Sequence, residues 1–194
     1  MAVKNEREYR TIALTEFRAS EEPDSYVVEG YATTFDDPYV LWEYDGVEYK
    51  EQIDKGAFSD ADMKDVVFLY NHDGMVFART RNKSVELSID DHGLKVKADL
   101  GLTSAAREMY ETIKAGLVDA MSWAFTIRKE KYDKDKHLRT ITKVKKVYDV
   151  SAVSFPANPA TEISARSFVD GVINEEKAER LDLAKKRLRL KTKM

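Results

Sequence analysis

Only three side chains in these 194 residues could exchange a proton near neutral pH as imidazoles, and there is no cysteine. His92 lies in the polar turn "DDHG" and His137 in the charged loop "KDKHLR", both ordinary settings for an exposed histidine. His72 is different, because it ends the apolar run "VVFLYNHD". Apolar residues toward both faces predict a buried strand, and its last side chain then sits at the rim of the core, where a cleft can form. The plainer reading of His72 is a semi-buried imidazole that caps a strand end.

A base needs a nucleophile to act on. In "AMSWAFTI", strand periodicity puts Met121, Trp123, Phe125 and Ile127 on one face and Ala120, Ser122, Ala124 and Thr126 on the other. The large residues make core. Ser122 is then a hydroxyl on a rigid strand between small side chains that leave room for a substrate. The plainer reading is a serine on a tightly packed small face. In "VYDVSAVSFPANP", Asp149 interrupts an apolar β-pattern, where a carboxylate is costly unless a charge or hydrogen bonds compensate it. An acid that accepts an imidazole N–H fixes its tautomer and stabilises the imidazolium. Asp149 could instead be a surface acid paired with Lys143, Lys145 or Lys146, and Ser151 and Ser154 are alternative hydroxyls.

These residues need elements to hold them. Segments such as "YRTIALTEF", "SYVVEGYATTF", "SVELSI", "GLKVKADL", "RTITKVKKV" and "YDVSAVSF" are short, rich in Val, Ile, Thr and aromatics, and separated by turn clusters. The pattern predicts a mainly β domain, barrel or sandwich, with flanking helices. "YDGV" (44–47) and "DDHG" (90–93) read as hairpin turns, and 131–137 as a solvated loop. One helix is predicted in "TSAAREMYETIKAG": Thr103 or Ser104 caps it, Ala106, Met109, Tyr110 and Ile113 share a face, and Gly116 stops it. Proline after Phe155 and Asn158 should end the last strand.

Composition narrows the function. At 43% hydrophobic and 35% charged, the chain can bury one substantial core. The lack of cysteine excludes a disulfide framework, a thiolate zinc site and a cysteine nucleophile; metal chemistry is disfavoured, and no cofactor is implied. A net charge of -3 gives no chain-wide attraction to nucleic acid, and no apolar stretch is long enough to cross a membrane. The start, "MAVKNEREYR", is charged where a signal peptide would be apolar, so an intracellular protein is expected. From about Asn174 the chain becomes helical in pattern, with Leu181, Ala184 and Leu188 in register, and it ends in Lys185, Lys186, Arg187, Arg189, Lys191 and Lys193. That tail reads either as a solvated terminus or as a docking segment for a partner or packaged nucleic acid.

The blocks "VEGYATTFDDPY", "EQIDKGAF", "VVFLYNHD" followed by "ART", "LTSAAREMYETIKAGLVDAMSWAF" and "DVSAVSFPANPAT" occur in an order and at separations that resemble the prohead maturation serine proteases of tailed bacteriophages. The resemblance spans about Tyr9 to Arg166. That family is similar in turn to herpesvirus assemblins, which implies a closed β-barrel surrounded by helices with base and nucleophile on separate strands. By position, His72 matches the family's histidine and Ser122 its serine. Assemblins use a second histidine as third member; here Asp149 occupies the block's acidic position, while His137 falls in a mobile charged loop. The resemblance implies a protease domain, taken as 1–168; the tail over 169–194 is set apart by composition alone, as a segment that docks or is self-cleaved. The implied substrates are the major capsid protein, its scaffold segment and the enzyme itself, cut inside the procapsid by a monomer or homo-oligomer. A non-enzymatic β-barrel scaffold protein and a small-molecule esterase are the alternatives. The esterase is weakened because "AMSWA" lacks the glycines of a nucleophile elbow.

Overall fold

The computed structural model describes residues 6–12, 18–20, 22, 25–154 and 159–191. In chain order the elements are β1 (Glu8–Ile12), β2 (Arg18–Ala19), β3 (Val27–Thr34), β4 (Tyr39–Tyr44), β5 (Val47–Ile53), β6 (Val67–Tyr70), β7 (Asp73–Arg79), β8 (Val85–Ile89), β9 (Gly93–Asp99), α1 (Ser104–Lys114), β10 (Ala120–Asp133), β11 (Leu138–Val153) and α2 (Pro159–Lys191). The expected strand over Tyr9–Phe17 is seen as far as Ile12, and its remainder lies outside the described residues, as do Phe155 to Asn158. Pro159 does not end a strand but opens α2, a position where its missing N–H goes unneeded.

Most turns follow their sequence chemistry. Asp45 and Gly46 both take positive φ between paired Tyr44 and Val47, as a tight hairpin requires. At the β8–β9 turn, Asp90 Oδ1 accepts from the backbone N–H groups of His92 and Gly93. Thr103 caps α1 by accepting from Ala106 N, and Ala106, Met109, Tyr110 and Ile113 form its buried face.

The strands form two sheets. The first has seven strands in the order β1-β10-β11-β5-β4, with β6 on β11 and β7 on β6; the second has four, β2-β3-β9-β8. Among the described residues neither closes on itself, so the fold is mainly β with two helices, and the expected closed barrel is not seen. The reason lies in β11, expected as two segments but formed as one strand of 16 residues. Its first part runs parallel to β5 and its last part parallel to β6, so the sheet branches and ends in β4 and β7. Apolar side chains from both sheets and α1 meet in one core, including Val28, Leu94, Val96, Phe68, Met121, Trp123, Phe125 and Val150. Each large one contributes about 1.5–3 kcal/mol by leaving water.

A buried ion network ties β1 to this core. The Glu51 carboxylate accepts from Arg10 Nε at 2.5 Å, Arg139 Nη1 at 2.8 Å and Tyr39 O–H at 2.5 Å, while Arg139 also donates to Glu8 and Glu130. Burial pushes both Glu8 and Glu51 upward, but the Arg10 and Arg139 guanidiniums outweigh it and hold Glu8 at about 2 and Glu51 below its usual range. Tyr39 is pushed well up by burial and by Glu51.

The helix α2 runs without a break through the expected boundary at 168–169. Val169, Val172 and Ile173 are buried with Tyr49 and pack against Trp42, Val47 and Tyr132, whereas Leu181, Leu183 and Leu188 are exposed. Packing of α2 against the chain's own strands therefore reaches at least Ile173, and the described part beyond is mostly solvated. No helix among the described residues is long and apolar enough to cross a membrane.

Candidate active site

The three residues singled out come from three strands of the seven-stranded sheet or its turns. Ser122 lies on β10, opposite Thr11 of β1 on one side and Ser151 of β11 on the other. Directly opposed residues share a face, so Ser122, Ser151, Thr11 and the pair Ala124–Asp149 all project away from Met121, Trp123 and Phe125. The division of "AMSWAFTI" into a large core face and a small face is thus as expected.

Asp149 lies beside a bulge. Ala124 pairs with Asp149 but Phe125 pairs with Val147, which leaves Tyr148 as the extra residue of β11. Val147 and Val150 are both in the core although three residues apart, which the inserted Tyr148 allows, and Asp149 takes the opposite face by alternation from Val150.

His72 is set by a hairpin. Tyr70 of β6 pairs with Asp73 of β7, so the loop is Asn71 and His72, with φ of 50° and 61°. Two left-handed residues are what the favoured tight hairpin needs, and Asn and His tolerate that region better than most side chains. For a non-glycine such a conformation costs on the order of 1 kcal/mol, held here by surrounding structure. Asn71 supplies some of it: its N–H donates to Ala152 O at 3.0 Å, and its Oδ1 accepts from Ser154 N at 3.2 Å, pinning the loop to the end of β11.

These supports bring the three side chains into one chain of hydrogen bonds. His72 Nδ1 is 2.6 Å from Asp149 Oδ1, and His72 Nε2 is 2.6 Å from Ser122 Oγ. With the ring proton on Nδ1, the imidazole donates to the carboxylate and Nε2 is free to accept from the serine. Ser122 is fully buried, Asp149 is 4% exposed and the His72 side chain 7%. The Tyr9 ring meets the imidazole edge-on, with centroids 4.8 Å apart. Ser122 Oγ also lies 2.9 Å from the carbonyl oxygen of Arg10, so its one proton has two acceptors within reach.

Two features were not expected from sequence. The small-residue face is covered, since Ala120, Ser122, Ala124 and Thr126 are all buried. Tyr9 and the Arg10 carbonyl join the site because β1 adds to the edge of β10, a pairing that the charged segment "NEREYR" does not signal. His92 and His137 are elsewhere: His92 stacks edge-on with Tyr31, and His137 lies against Tyr49 and Tyr132 near Glu176. Ser154 bonds Tyr70. Among the described residues no group of His, Asp and Glu has the arrangement of a metal site.

A serine hydroxyl against an imidazole that faces a buried carboxylate is the arrangement of the serine hydrolases. Within that class the chain belongs to the caudovirus prohead serine protease family, whose pattern matches residues 14–172. It is 27% identical over 162 residues to the prohead protease of Enterobacteria phage HK97, covering 81% of this chain and 68% of that one. No solved structure matches it. The protein is a serine protease of phage head maturation.

Proposed function

We propose that Ser122 is the nucleophile of this protease, His72 its general base and acid, and Asp149 the group that orients His72. The observation that carries this reading is the unbroken sequence Asp149 Oδ1, His72 Nδ1, His72 Nε2, Ser122 Oγ, with 2.6 Å at each inter-residue step. Ser122 Oγ forms a bond to the scissile carbonyl carbon as its proton passes to Nε2. The carbon–nitrogen bond then breaks while Nε2–H protonates the leaving amine, giving an acyl ester on Ser122. Water attacks that ester, His72 takes the water proton, and the proton returns to Ser122 as the acid departs. Asp149 stays ionised and balances the imidazolium formed at each step. With Ser122 wholly buried, a peptide bond reaches it only when the cover over that face moves aside.

The substrates of this reading are the scaffold segment or N-terminal arm of the major capsid protein and the protease itself, cut inside the procapsid so that assembly becomes irreversible. The test is coexpression with the capsid protein. Wild type should shorten the capsid protein on a gel, Ser122→Ala and His72→Ala should leave it intact while staying folded, and His92→Ala and His137→Ala should still cut. Processing by well-folded Ser122→Ala removes Ser122 from the mechanism, and loss of processing in His137→Ala alone would favour a histidine pair.

A further inference from the structure

Ser151 is a second buried hydroxyl at the site, and the reaction as described gives it no part. It lies directly across from Ser122 on β11 and is fully buried. Its Oγ is 2.9 Å from Asp149 Oδ1 and 3.2 Å from His72 Nδ1. Both contacts converge on the link between base and acid. We propose that Ser151 is a positioning residue of this protease, which donates its proton to Asp149 Oδ1 and so sets both the orientation of the carboxylate and the charge it presents to His72. The inference rests on the Ser122–His72–Asp149 reading.

The chemistry follows from a count of protons. Nδ1 must carry a proton if Nε2 is to accept from Ser122, and that proton goes to Asp149 Oδ1. A protonated Nδ1 cannot accept, so the hydroxyl of Ser151 has the carboxylate oxygen as its acceptor, and its lone pair faces Nδ1–H as a second, longer contact. The same Oδ1 therefore receives two donors. A hydroxyl that donates to a carboxylate draws off part of its charge and stabilises its ionised form without water. Ser151 and Asp149 are two residues apart on one strand, and since they share a face the hydroxyl reaches the carboxylate with a single side-chain torsion to set.

Without this hydroxyl, Asp149 would present its full charge to the imidazolium and lose one of the contacts that fixes its rotamer. The imidazolium would then hold its proton to higher pH, so the acidic limb of activity should move upward. The experiment measures the rate at which diisopropyl fluorophosphate modifies full-length protein between pH 5 and 9, with the modified residue identified by mass. Wild type should be labelled at Ser122. Ser151→Ala should be labelled about tenfold more slowly at neutral pH, the scale of one hydrogen bond to a charged group, with its acidic limb displaced upward. Ser151→Thr keeps the hydroxyl and should recover most of the rate and the wild-type profile. If wild type is labelled at Ser122 and folded Ser151→Ala matches it in rate and profile, Ser151 has no positioning role, even if the variant melts lower. If wild type that shortens the coexpressed capsid protein is not labelled at Ser122, the triad reading fails and this inference with it.

Discussion

Replacing Asp149 with asparagine separates charge and tautomer control from mere packing. The amide has nearly the shape of the carboxylate and two ways to sit in its place. With its oxygen where Asp149 Oδ1 now lies, it still accepts from His72 Nδ1 at 2.6 Å and from Ser151 at 2.9 Å, but it carries no charge to balance the imidazolium. With its nitrogen there, it donates to Nδ1, which drives the ring proton onto Nε2 and leaves nothing to accept from Ser122 across 2.6 Å. Both outcomes disable the base. In serine hydrolases such a change lowers turnover by about ten-thousand-fold, or ~5.5 kcal/mol of transition-state stabilisation. Cleavage that takes about a minute would take about a week on that scale. The fold should not suffer, because the substitution removes a charge from a site only 4% exposed. The assay is a time course of capsid-protein cleavage by purified variants on gels, beside thermal melts of the same preparations. A folded Asp149→Asn protein that cuts within tenfold of the wild-type rate would refute the assignment of this carboxylate.

The buried ion network and the tail give two further predictions. Glu51→Gln, in a Ser122→Ala background, breaks the network at its fully buried carboxylate; an unpaired buried charge costs about 3–5 kcal/mol, which for a chain of this size is a fall of roughly 10 °C in melting temperature, and a change under about 2 °C would contradict it. Glu8 lies at about 2 when folded against an ordinary 4.5, so its contribution is complete above 4.5 and is lost as pH falls from there toward 2; denaturant melts flat across that window would contradict this. Ending the chain after Asn174 keeps Val169, Val172 and Ile173 and should leave melting and cleavage close to wild type, whereas ending it after Ser167 uncovers Tyr49 and its neighbours and should lower the melting temperature. Equal melts for the two truncations would show that α2 adds nothing by docking.

Much of the site was legible because it depends on local patterns. Alternation alone separated Trp123 and Phe125 from Ser122, and an acid inside an apolar strand marked Asp149. His72 was placed less well: it reads as the last side chain of a buried strand, whereas β6 ends at Tyr70 and His72 is the second residue of a two-residue hairpin loop. What could not be read depends on partners far along the chain. The bulge at Tyr148 exists only relative to β10, so no periodicity in β11 by itself reveals it. Arg10, Glu51 and Arg139 each look like surface charges in their own strands, yet Arg10 meets Glu51 across 41 residues and Arg139 meets it across 88. The two segments 139–147 and 148–155 read as separate strands, yet one strand runs through both as far as Val153.

The network also bears on function through β1. Arg10 places its side chain among Glu51 and Glu8, while its carbonyl oxygen lies 2.9 Å from Ser122 Oγ on the next strand. The neighbouring Tyr9 ring packs edge-on against His72. A slip of β1 by one residue would turn the Arg10 guanidinium toward the site and the Tyr9 ring toward the core, because successive side chains alternate. Such a slip would strand Glu51 without its Arg10 partner, so the charge network holds the register that keeps the imidazole packed. The hydroxyl proton of Ser122 has a nearer acceptor in His72 Nε2, at 2.6 Å, than in the Arg10 carbonyl, at 2.9 Å. Moving between the two needs only rotation of the O–H bond, not movement of any heavy atom. On the proposed reading, nucleophile and base are therefore in contact before substrate arrives, and the energy of ordering them is met by folding. By this reasoning Glu51→Gln should slow cleavage even at temperatures where it stays folded, since β1 would be held less firmly against both Ser122 and His72.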